Sequence, residues 1–227
     1  TFICTLESEM KRTSSTPTTS STNYQGCLAS HINEPWLGME IINFLPPKRW
    51  KVIMDLAEIE LDKYNSSERT RSGHYVNFLD EDIIPETNNL FNDFDFPHRP
   101  YKGKLKKLVQ WAISPSGWNY PPHCDNRSRI STTIIYIGPE KSDGTILHKN
   151  FSTNDRGDHE AAKYESLYTK EIDWKPNKAF FHNSIPNKTW HSIKNTHSEP
   201  RITLNAFLVQ PDLVAKDRCY SDHMITL

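Results

Sequence analysis

Residues 121–138 read PPHCDNRSRISTTIIYIG, and this stretch holds both a candidate metal-binding motif and the start of a strongly β-rich region. His123 and Asp125 are separated by one residue. Side chains at positions i and i+2 of an extended segment point to the same face, so both can reach one metal ion while Cys124 points away. The run Ile130–Gly138 is rich in β-branched residues and predicts a strand directly after the motif.

Short β-rich runs separated by polar turns continue along the chain after residue 104. No helix-length pattern interrupts them, apart from a candidate helix at Glu160–Tyr168, and there is no internal repeat. This spacing is typical of an all-β sandwich or barrel. The predicted strands are Leu105–Ser114, Ile130–Gly138, Thr145–His148, Lys178–His182, Trp190–Ile193 and Ile202–Val209.

One helix is predicted ahead of this region. Pro46 and Pro47 open the stretch Lys48–Tyr64, in which apolar residues recur at steps of three and four. Proline at the start and this periodicity together indicate an amphipathic helix. Residues 66–104 are rich in Asp, Asn and Pro, so loops and short strands are expected there.

The N-terminus has a different composition. Thr13–Thr22 reads TSSTPTTSST, which cannot bury apolar surface and is typical of an arm or linker. We therefore expect a flexible or extended arm over residues 1–30. A single domain over residues 31–227 follows, with its β core at about residues 105–210.

Charge and cysteine content exclude several classes of protein. The 227 residues carry a formal net charge of −1, which argues against nucleic acid or an anionic membrane as a partner. No apolar run is long enough to cross a bilayer. The four cysteines are scattered and form neither a disulfide framework nor a zinc knuckle. A cytoplasmic location is the resulting expectation.

His191 is the candidate for a third metal ligand, because it follows Trp190 at the head of a predicted strand. Its competitors are His182, in an apolar run, and His197, in a polar turn. Two histidines and one carboxylate on one face of Fe(II) leave three adjacent positions open. A chelating keto acid takes two of these and dioxygen takes the third.

Arg201 is the candidate anchor for such a keto acid. It lies ten residues after His191 and opens the next predicted strand, and a short turn would bring the two strands together as an antiparallel pair. A guanidinium can fork onto a carboxylate with two hydrogen bonds, which lysine cannot do. Thr203 shares the face of Arg201 and offers a hydroxyl to the same carboxylate.

Taken in order, these motifs resemble the 2-oxoglutarate/Fe(II) dioxygenase superfamily, and more closely its prolyl-hydroxylase-like branch. The resemblance covers roughly residues 105–210. It implies a mainly β fold with supporting helices, the double-stranded β-helix (a cupin-like jelly roll). It also implies an oxygenase that hydroxylates a C–H bond and releases succinate and carbon dioxide. The matching segments are His123-x-Asp125, Thr132–Ile137, Asp143-Gly144-Thr145, Trp190-His191 and Arg201-Ile202-Thr203.

In this interpretation His123, Asp125 and His191 are the catalytic metal ligands, and the cofactors are Fe(II), 2-oxoglutarate and dioxygen. Further candidates for the 2-oxoglutarate pocket are Gln110, Tyr120 and Thr132, each of which could equally be a packing residue. Trp111, Trp118 and Trp174 are candidates for the substrate mouth. The polar connection 150–176 is a candidate lid. The substrate, a protein side chain, an amino acid or another small molecule, is not readable from the sequence.

Three other functions compete with the oxygenase. A zinc hydrolase could use the same three ligands, but it would not need Arg201 and would require a nearby carboxylate base. A non-enzymatic binding protein could have the same jelly roll. An oxygenase that anchors its keto acid with a lysine would point to Lys149 in place of Arg201.

Overall fold

Two antiparallel sheets form the body of the protein. The computed structural model describes residues 21–24, 26–67, 73–93, 98, 100–149, 168–214 and 224–226. The larger sheet has eight strands in the order β1-β2-β3-β10-β7-β12-β5-β4, and the smaller has four in the order β6-β11-β8-β9. The large-sheet strands are β1 Ser21–Tyr24, β2 Cys27–Ile32, β3 Gly38–Ile42, β4 Tyr75–Leu79, β5 Lys106–Ser114, β7 Arg129–Gly138, β10 Ala179–Asn183 and β12 Arg201–Val209. Those of the small sheet are β6 Asn119–His123, β8 Thr145–Lys149, β9 Tyr168–Ile172 and β11 Trp190–Lys194.

All six predicted strands are present, with ends that differ by one residue at most, as β5, β7, β8, β10, β11 and β12. Strands β1, β2, β3, β6 and β9 lack a clear sequence signal. The sequence of β6 is NYPPH, and two prolines argue against a central strand. They are accommodated because β6 lies at an edge of the small sheet, where unpaired backbone positions do not need an N–H donor.

Helix α1, Pro47–Ser66, covers the outer face of the large sheet. The predicted periodicity is confirmed: Ile53, Ala57 and Tyr64 are buried in one cluster with residues of β5, β7 and β12. Glu60 is also buried. It accepts hydrogen bonds from the Tyr75 hydroxyl at 3.1 Å and from Asn77 at 2.9 Å, which join the helix to β4.

Three short helical segments complete the secondary structure of the described residues: a 3₁₀ turn Pro85–Thr87, α2 Leu90–Asp93 and α3 Pro211–Val214. Beside the first of them, Lys107 on β5 is buried and donates hydrogen bonds to Asp82, Ile84 O and Asn88 at 2.6–2.8 Å. This cation fastens the loop after β4 to the large sheet. No helix among the described residues is long and apolar enough to cross a membrane.

The inner face of the large sheet is defined by alternation along β12. Ile202, Leu204 and Ala206 belong to the cluster under α1. Arg201, Thr203, Asn205 and Phe207 therefore point the other way, into the space between the sheets. Their neighbours in register on that face are Ser114, Ala112, Gln110 and Leu108 of β5.

One expected pairing is wrong. Strands β11 and β12 do not form an antiparallel pair, because they lie in different sheets. Strand β11 is occupied on both sides by β6 and β8, and β12 by β5 and β7. The turn at residues 195–200 therefore carries the chain from one sheet to the other.

The N-terminal arm and the candidate helix fall partly or wholly outside the described residues. Residues 1–20 are not described, and the expected end of the arm at residue 30 lies within β2, which pairs with β3. Of the segment 160–168, only Tyr168 is described, as the first residue of β9. Most of the expected lid, residues 150–167, is also outside the described ranges.

Candidate metal centre

Three predicted ligand residues converge between the two sheets. His123 is the last residue of β6, and it is the cross-strand partner of His191 on β11, with ring centroids 4.4 Å apart. Asp125 follows β6 by two residues. One potential ligand atom from each of the three lies within 4.8 Å of the others. The relative exposures of His123, Asp125 and His191 are only 8%, 5% and 3%, so the cluster is an interior one.

Backbone carbonyls orient both imidazoles. Nδ1 of His123 lies 3.0 Å from Pro121 O, and Nδ1 of His191 lies 3.0 Å from Thr189 O. A proton on each Nδ1 satisfies these carbonyls and leaves each Nε2 as an electron-pair donor. Histidines that bind metals are held in this way by a hydrogen bond on their other ring nitrogen.

The Asp125 carboxylate accepts three hydrogen bonds. Arg129 donates to Oδ1 at 2.8 Å, and the hydroxyls of Thr132 and Ser184 donate to Oδ2 at 2.6 and 2.9 Å. Burial acts to raise the pKa of Asp125. The charge of Arg129, with smaller contributions that include the Thr132 hydrogen bond, outweighs burial and holds this pKa well below 3.8. Asp125 is therefore an anion.

Whereas Asp125 is charged, the imidazole of His123 is held in its neutral form. Burial, and then the neighbouring His191, lower the pKa of His123 from 6.5 to about 3. The neutral form is the one that can bind a metal. An anionic carboxylate and a neutral imidazole therefore stand side by side at neutral pH.

The two competing histidines are not part of this cluster. His182 lies on β10 and stacks on Phe180, with ring centroids 5.2 Å apart, and its Nε2 is 3.7 Å from Oδ2 of Asp125. Burial lowers the pKa of His182 to about 4. His197 lies in the turn between β11 and β12. Among the described residues, the metal-compatible group contains His191 and neither of these two.

Arg201 is buried, with a relative exposure of 1%. Its Nε donates to Asp143 O at 3.1 Å, and its guanidinium carbon lies 5.5 Å from the ring centroid of Tyr136 and 5.1 Å from that of Trp174. Burial lowers the pKa of Arg201 to about 10, which still leaves it a cation at neutral pH.

One nitrogen of Arg201 has no partner within the ranges that the structure describes. NH2 is buried and has no hydrogen bond to any described residue. A buried cation with an unused donor is costly unless an anion accompanies it. Lys149, the alternative anchor, instead makes an exposed ion pair with Glu34 at 2.9 Å.

The remaining predicted pocket residues have different surroundings. Thr203 and Gln110 are buried on the inner face of the large sheet. Tyr120 packs edge-on against the His123 ring, at 4.3 Å between centroids. Thr132 has a contact that we did not expect, because its hydroxyl donates to Asp125 and is not free for a keto acid.

A cavity of about 220 Å³ opens beside the three ligand residues. Its walls come from both sheets and include β4, the edge strand of the large sheet. Of the three tryptophans expected at a substrate mouth, Trp118 lines this cavity, while Trp174 stacks on Tyr136 at 4.6 Å. Trp111 is wrong for this role, because it is buried on the α1 side of the large sheet. The lining residues are His74, Val76, Ser114, Trp118, Tyr120, His123, Asp125, Arg129, Thr132, Ile134, His191, Ile193, Asn205 and Phe207.

His74 is a cavity residue that the sequence did not reveal. Its ring stacks on Trp118 at 5.6 Å, and its Nδ1 lies 3.2 Å from the Ser114 hydroxyl. Partial desolvation against the cavity wall, and then the charge of Arg201, lower the pKa of His74 to about 4, although part of the side chain remains exposed. His74 lies in the Asp- and Asn-rich stretch before β5, which carries no motif that marks it.

Comparison with protein-family models gave no match, and comparison with curated protein sequences gave none either. Solved structures do match. The non-haem, alpha-ketoglutarate-dependent epimerase SnoN from nogalamycin biosynthesis is 13% identical, with a TM-score of 0.54 over 77% of this chain and 76% of that one. Its complex with Fe3+, alpha-ketoglutarate and nogalamycin RO matches at 12% identity, with a TM-score of 0.51 over 77% of this chain and 79% of that one.

A prolyl hydroxylase from Trichoplax adhaerens, in complex with a peptide fragment of the hypoxia inducible factor oxygen degradation domain, also matches. It is 15% identical, with a TM-score of 0.50 over 78% of this chain and 85% of that one. These likenesses confirm the predicted fold class. The chain has the double-stranded β-helix of 2-oxoglutarate/Fe(II) oxygenases, with a supporting helix on the large sheet.

Proposed function

We propose that the protein is an Fe(II)- and 2-oxoglutarate-dependent oxygenase that hydroxylates a C–H bond of its substrate. The observation that carries the proposal is the coexistence of two features inside one double-stranded β-helix. His123, Asp125 and His191 offer three ligand atoms within 4.8 Å, and Arg201 is a buried cation with one nitrogen that has no hydrogen-bond partner in the described part of the chain. The first feature fits a facial Fe(II) site, and the second fits a dicarboxylate.

The donor set suits Fe(II). Two imidazoles and one anionic carboxylate are the residues of the facial triad, and each is held by a hydrogen bond to a neighbouring group. Asp125 is restrained most strongly, since Arg129, Thr132 and Ser184 all donate to it. These partners orient the carboxylate before a metal arrives.

Arg201 suits the far carboxylate of 2-oxoglutarate. It shares the inner face of the large sheet with Thr203, while Tyr136 and Trp174 pack around its guanidinium. The side chain of Arg201 points into the space between the two sheets, where His123, Asp125 and His191 also converge, and this common location supports the proposal that both hold one diacid.

Bound iron, with 2-oxoglutarate and dioxygen, supplies the oxidation: the keto acid becomes succinate and carbon dioxide, and one oxygen atom enters a substrate C–H bond as hydroxyl. The protein's own contribution is orientation and the exclusion of water. Because all three ligand residues and Arg201 are buried, they are held in fixed orientations and shielded from water.

A zinc hydrolase on the same three residues is less well supported. Such an enzyme needs a carboxylate base beside the metal-bound water. Among the described residues that line the cavity, Asp125 is the only carboxylate, and it is one of the proposed ligands. A hydrolase would also leave the buried charge of Arg201 without a purpose.

The substrate belongs to the proposal only in broad terms. The Trichoplax protein was solved with a peptide and SnoN with nogalamycin RO, so both protein side chains and small molecules are substrates to test. A cavity of about 220 Å³ fits a small molecule or one side chain.

The decisive experiment is a spectroscopic titration. Protein purified without oxygen is mixed with Fe(II) and then with 2-oxoglutarate, and the weak visible metal-to-ligand charge-transfer band is recorded. We expect the band with the parent protein, its loss in His191→Ala, and its retention in the matched control His197→Ala. Absence of the band from the parent, together with no uncoupled succinate in air, would overturn the oxygenase proposal.

A further inference from the structure

Arg129 is a charged residue of the cavity wall with capacity beyond its contact to Asp125. It is the first residue of β7, and its guanidinium carbon lies over the Phe207 ring, 3.7 Å from the centroid. NH1 donates to Oδ1 of Asp125 at 2.8 Å. Both Arg129 and Phe207 line the cavity, and the Arg129 side chain keeps a relative exposure of 20%.

The guanidinium has donors to spare. An arginine carries five N–H groups, and Arg129 uses only NH1 toward the described residues. The contact with Phe207 and the hydrogen bond to Asp125 restrict the guanidinium, so its remaining donors are oriented in advance. Such a fixed planar fork is suited to two parallel hydrogen bonds with a carboxylate.

Charge balance points to the same partner. In the loaded site of the proposed function, the two positive charges of the metal and that of Arg201 are matched by Asp125 and the two carboxylates of 2-oxoglutarate. Among the described residues of this site, one positive charge is then in excess, and Arg129, which shares Asp125 with the metal, lies at the edge of a partly desolvated cavity. A cation in this position favours an anion more strongly than it would in water.

We propose that Arg129 binds a carboxylate of the substrate, so the substrate is an acid. This inference rests on the proposed function and narrows it. Two sources supply the same chemistry: a free amino acid or other small acid, and an acidic side chain of a peptide. The cavity of about 220 Å³ fits a small acid or one acidic side chain, and the two arms of the test distinguish them.

The test compares acids with their neutral amides. Protein loaded with Zn(II) and 2-oxoglutarate, which cannot turn over, is titrated with the L-amino acids and their carboxamides. In a second arm it is titrated with short N-acetylated peptide amides that contain Asp or Glu, and with their Asn or Gln counterparts. Binding is followed by ligand-observed NMR. We expect at least one acid to bind tenfold or more tightly than its amide.

Variants separate substrate binding from a role in holding Asp125. Arg129→Gln should remove the preference for the acid, and Arg129→Lys should retain part of it. Arg127→Gln, an equal change of charge at an exposed position two residues away, should leave the preference intact. An undiminished preference in Arg129→Gln together with a tenfold loss of Zn(II) affinity would mean that Arg129 only positions Asp125, and would overturn the inference.

The two proposals fail in different ways. If the parent gives the Fe(II)/2-oxoglutarate band but no acid in either arm binds more tightly than its amide, the inference about Arg129 is wrong and the oxygenase stands. If the parent gives no band, both fall together. Binding in the first arm alone identifies a free acid, and binding in the second alone identifies an acidic side chain.

Discussion

The Thr132 hydroxyl lies 2.6 Å from Oδ2 of Asp125 and donates a hydrogen bond to it across the space between the two sheets. Thr132 is on β7 of the large sheet, whereas Asp125 follows β6 of the small one. The contact therefore links the proposed metal ligand to a central strand of the fold. Because β7 is a central strand of the large sheet, this hydrogen bond restrains the orientation of the Asp125 carboxylate.

Replacing Thr132 with valine tests this link. The change conserves volume and removes the donor, so Asp125 keeps only Ser184 on Oδ2. We expect metal affinity to fall by about tenfold, because loss of such an outer hydrogen bond typically weakens metal binding by ten- to a hundredfold. The measurement is competition for Zn(II) against a chromophoric chelator. The control is Thr133→Val, because the side chain of Thr133 points to the other face of the same strand. This variant should bind Zn(II) as tightly as the parent does.

Arg201 can be separated from the metal ligands by its effect on 2-oxoglutarate. In Arg201→Ala we expect 2-oxoglutarate affinity to fall by about a hundredfold, and in Arg201→Lys by about tenfold, because lysine keeps the charge but cannot form the two-bond fork. Affinity for Fe(II) alone should change by less than about threefold. Both are read from the charge-transfer titration and from metal competition. Equal loss of both affinities in Arg201→Ala would assign Arg201 a structural role instead.

Three histidines with a lowered pKa predict a loss of stability in acid: His148 and His182 are buried, whereas His74 packs against Trp118 with part of its side chain exposed. The pKa of His74 is about 4 in the folded protein, compared with 6.5 for an unperturbed histidine. Since the unfolded chain binds the proton more readily, the contribution of neutral His74 is present above pH 6.5 and is lost as the pH falls toward 4. Burial also lowers the pKa values of His148 and His182 to about 4, so their contributions to stability are lost over the same pH range. Urea unfolding of the metal-free parent should therefore give a free energy of unfolding that falls between pH 6.5 and 4.

A single substitution isolates the part that belongs to His74. His74→Gln keeps a hydrogen-bonding side chain near Ser114 and removes the titrating group. Its stability should depend less steeply on pH than that of the parent across this window. Ser114→Ala, which removes the partner hydroxyl but no titrating group, should retain the slope of the parent. An unchanged slope in His74→Gln would contradict the assignment.

Gly144 is required by a close backbone approach beside Arg201. A Cβ atom at this position would lie 1.7 Å from the carbonyl oxygen of Ile172, and a backbone atom cannot rotate away. We expect Gly144→Ala to cost about 3 kcal/mol or more in urea unfolding, at the upper end of overpacking effects. The preceding residue, Asp143, accepts the Nε hydrogen bond of Arg201 through its carbonyl oxygen, so 2-oxoglutarate binding should weaken as well.

The control for this change is Gly73→Ala, because a Cβ at Gly73 would meet nothing within 4 Å and its backbone has no positive φ. Stability close to that of the parent is expected there. If Gly144→Ala were equally harmless, the approach of Ile172 to Gly144 would not be a constraint on the fold.

Much of the architecture was predictable because it depends on local patterns. Alternation and β-branched residues marked six strands, and a 3.6-residue period marked α1. The spacing His123-x-Asp125 was enough to predict that both side chains reach one metal ion, and the structure brings both into one group with His191. Each of these inferences needs only neighbouring residues and the geometry of one element.

What the tertiary structure alone decided are the contacts between segments far apart in the chain. No local pattern shows that β11 and β12 enter different sheets, since pairing depends on which strand edges are already occupied. Nor does one show that Thr132 donates to Asp125, or that His74 and Arg129 share a cavity wall. Periodicity determines which face of an element is buried, but only the packing of the two sheets determines what that face meets.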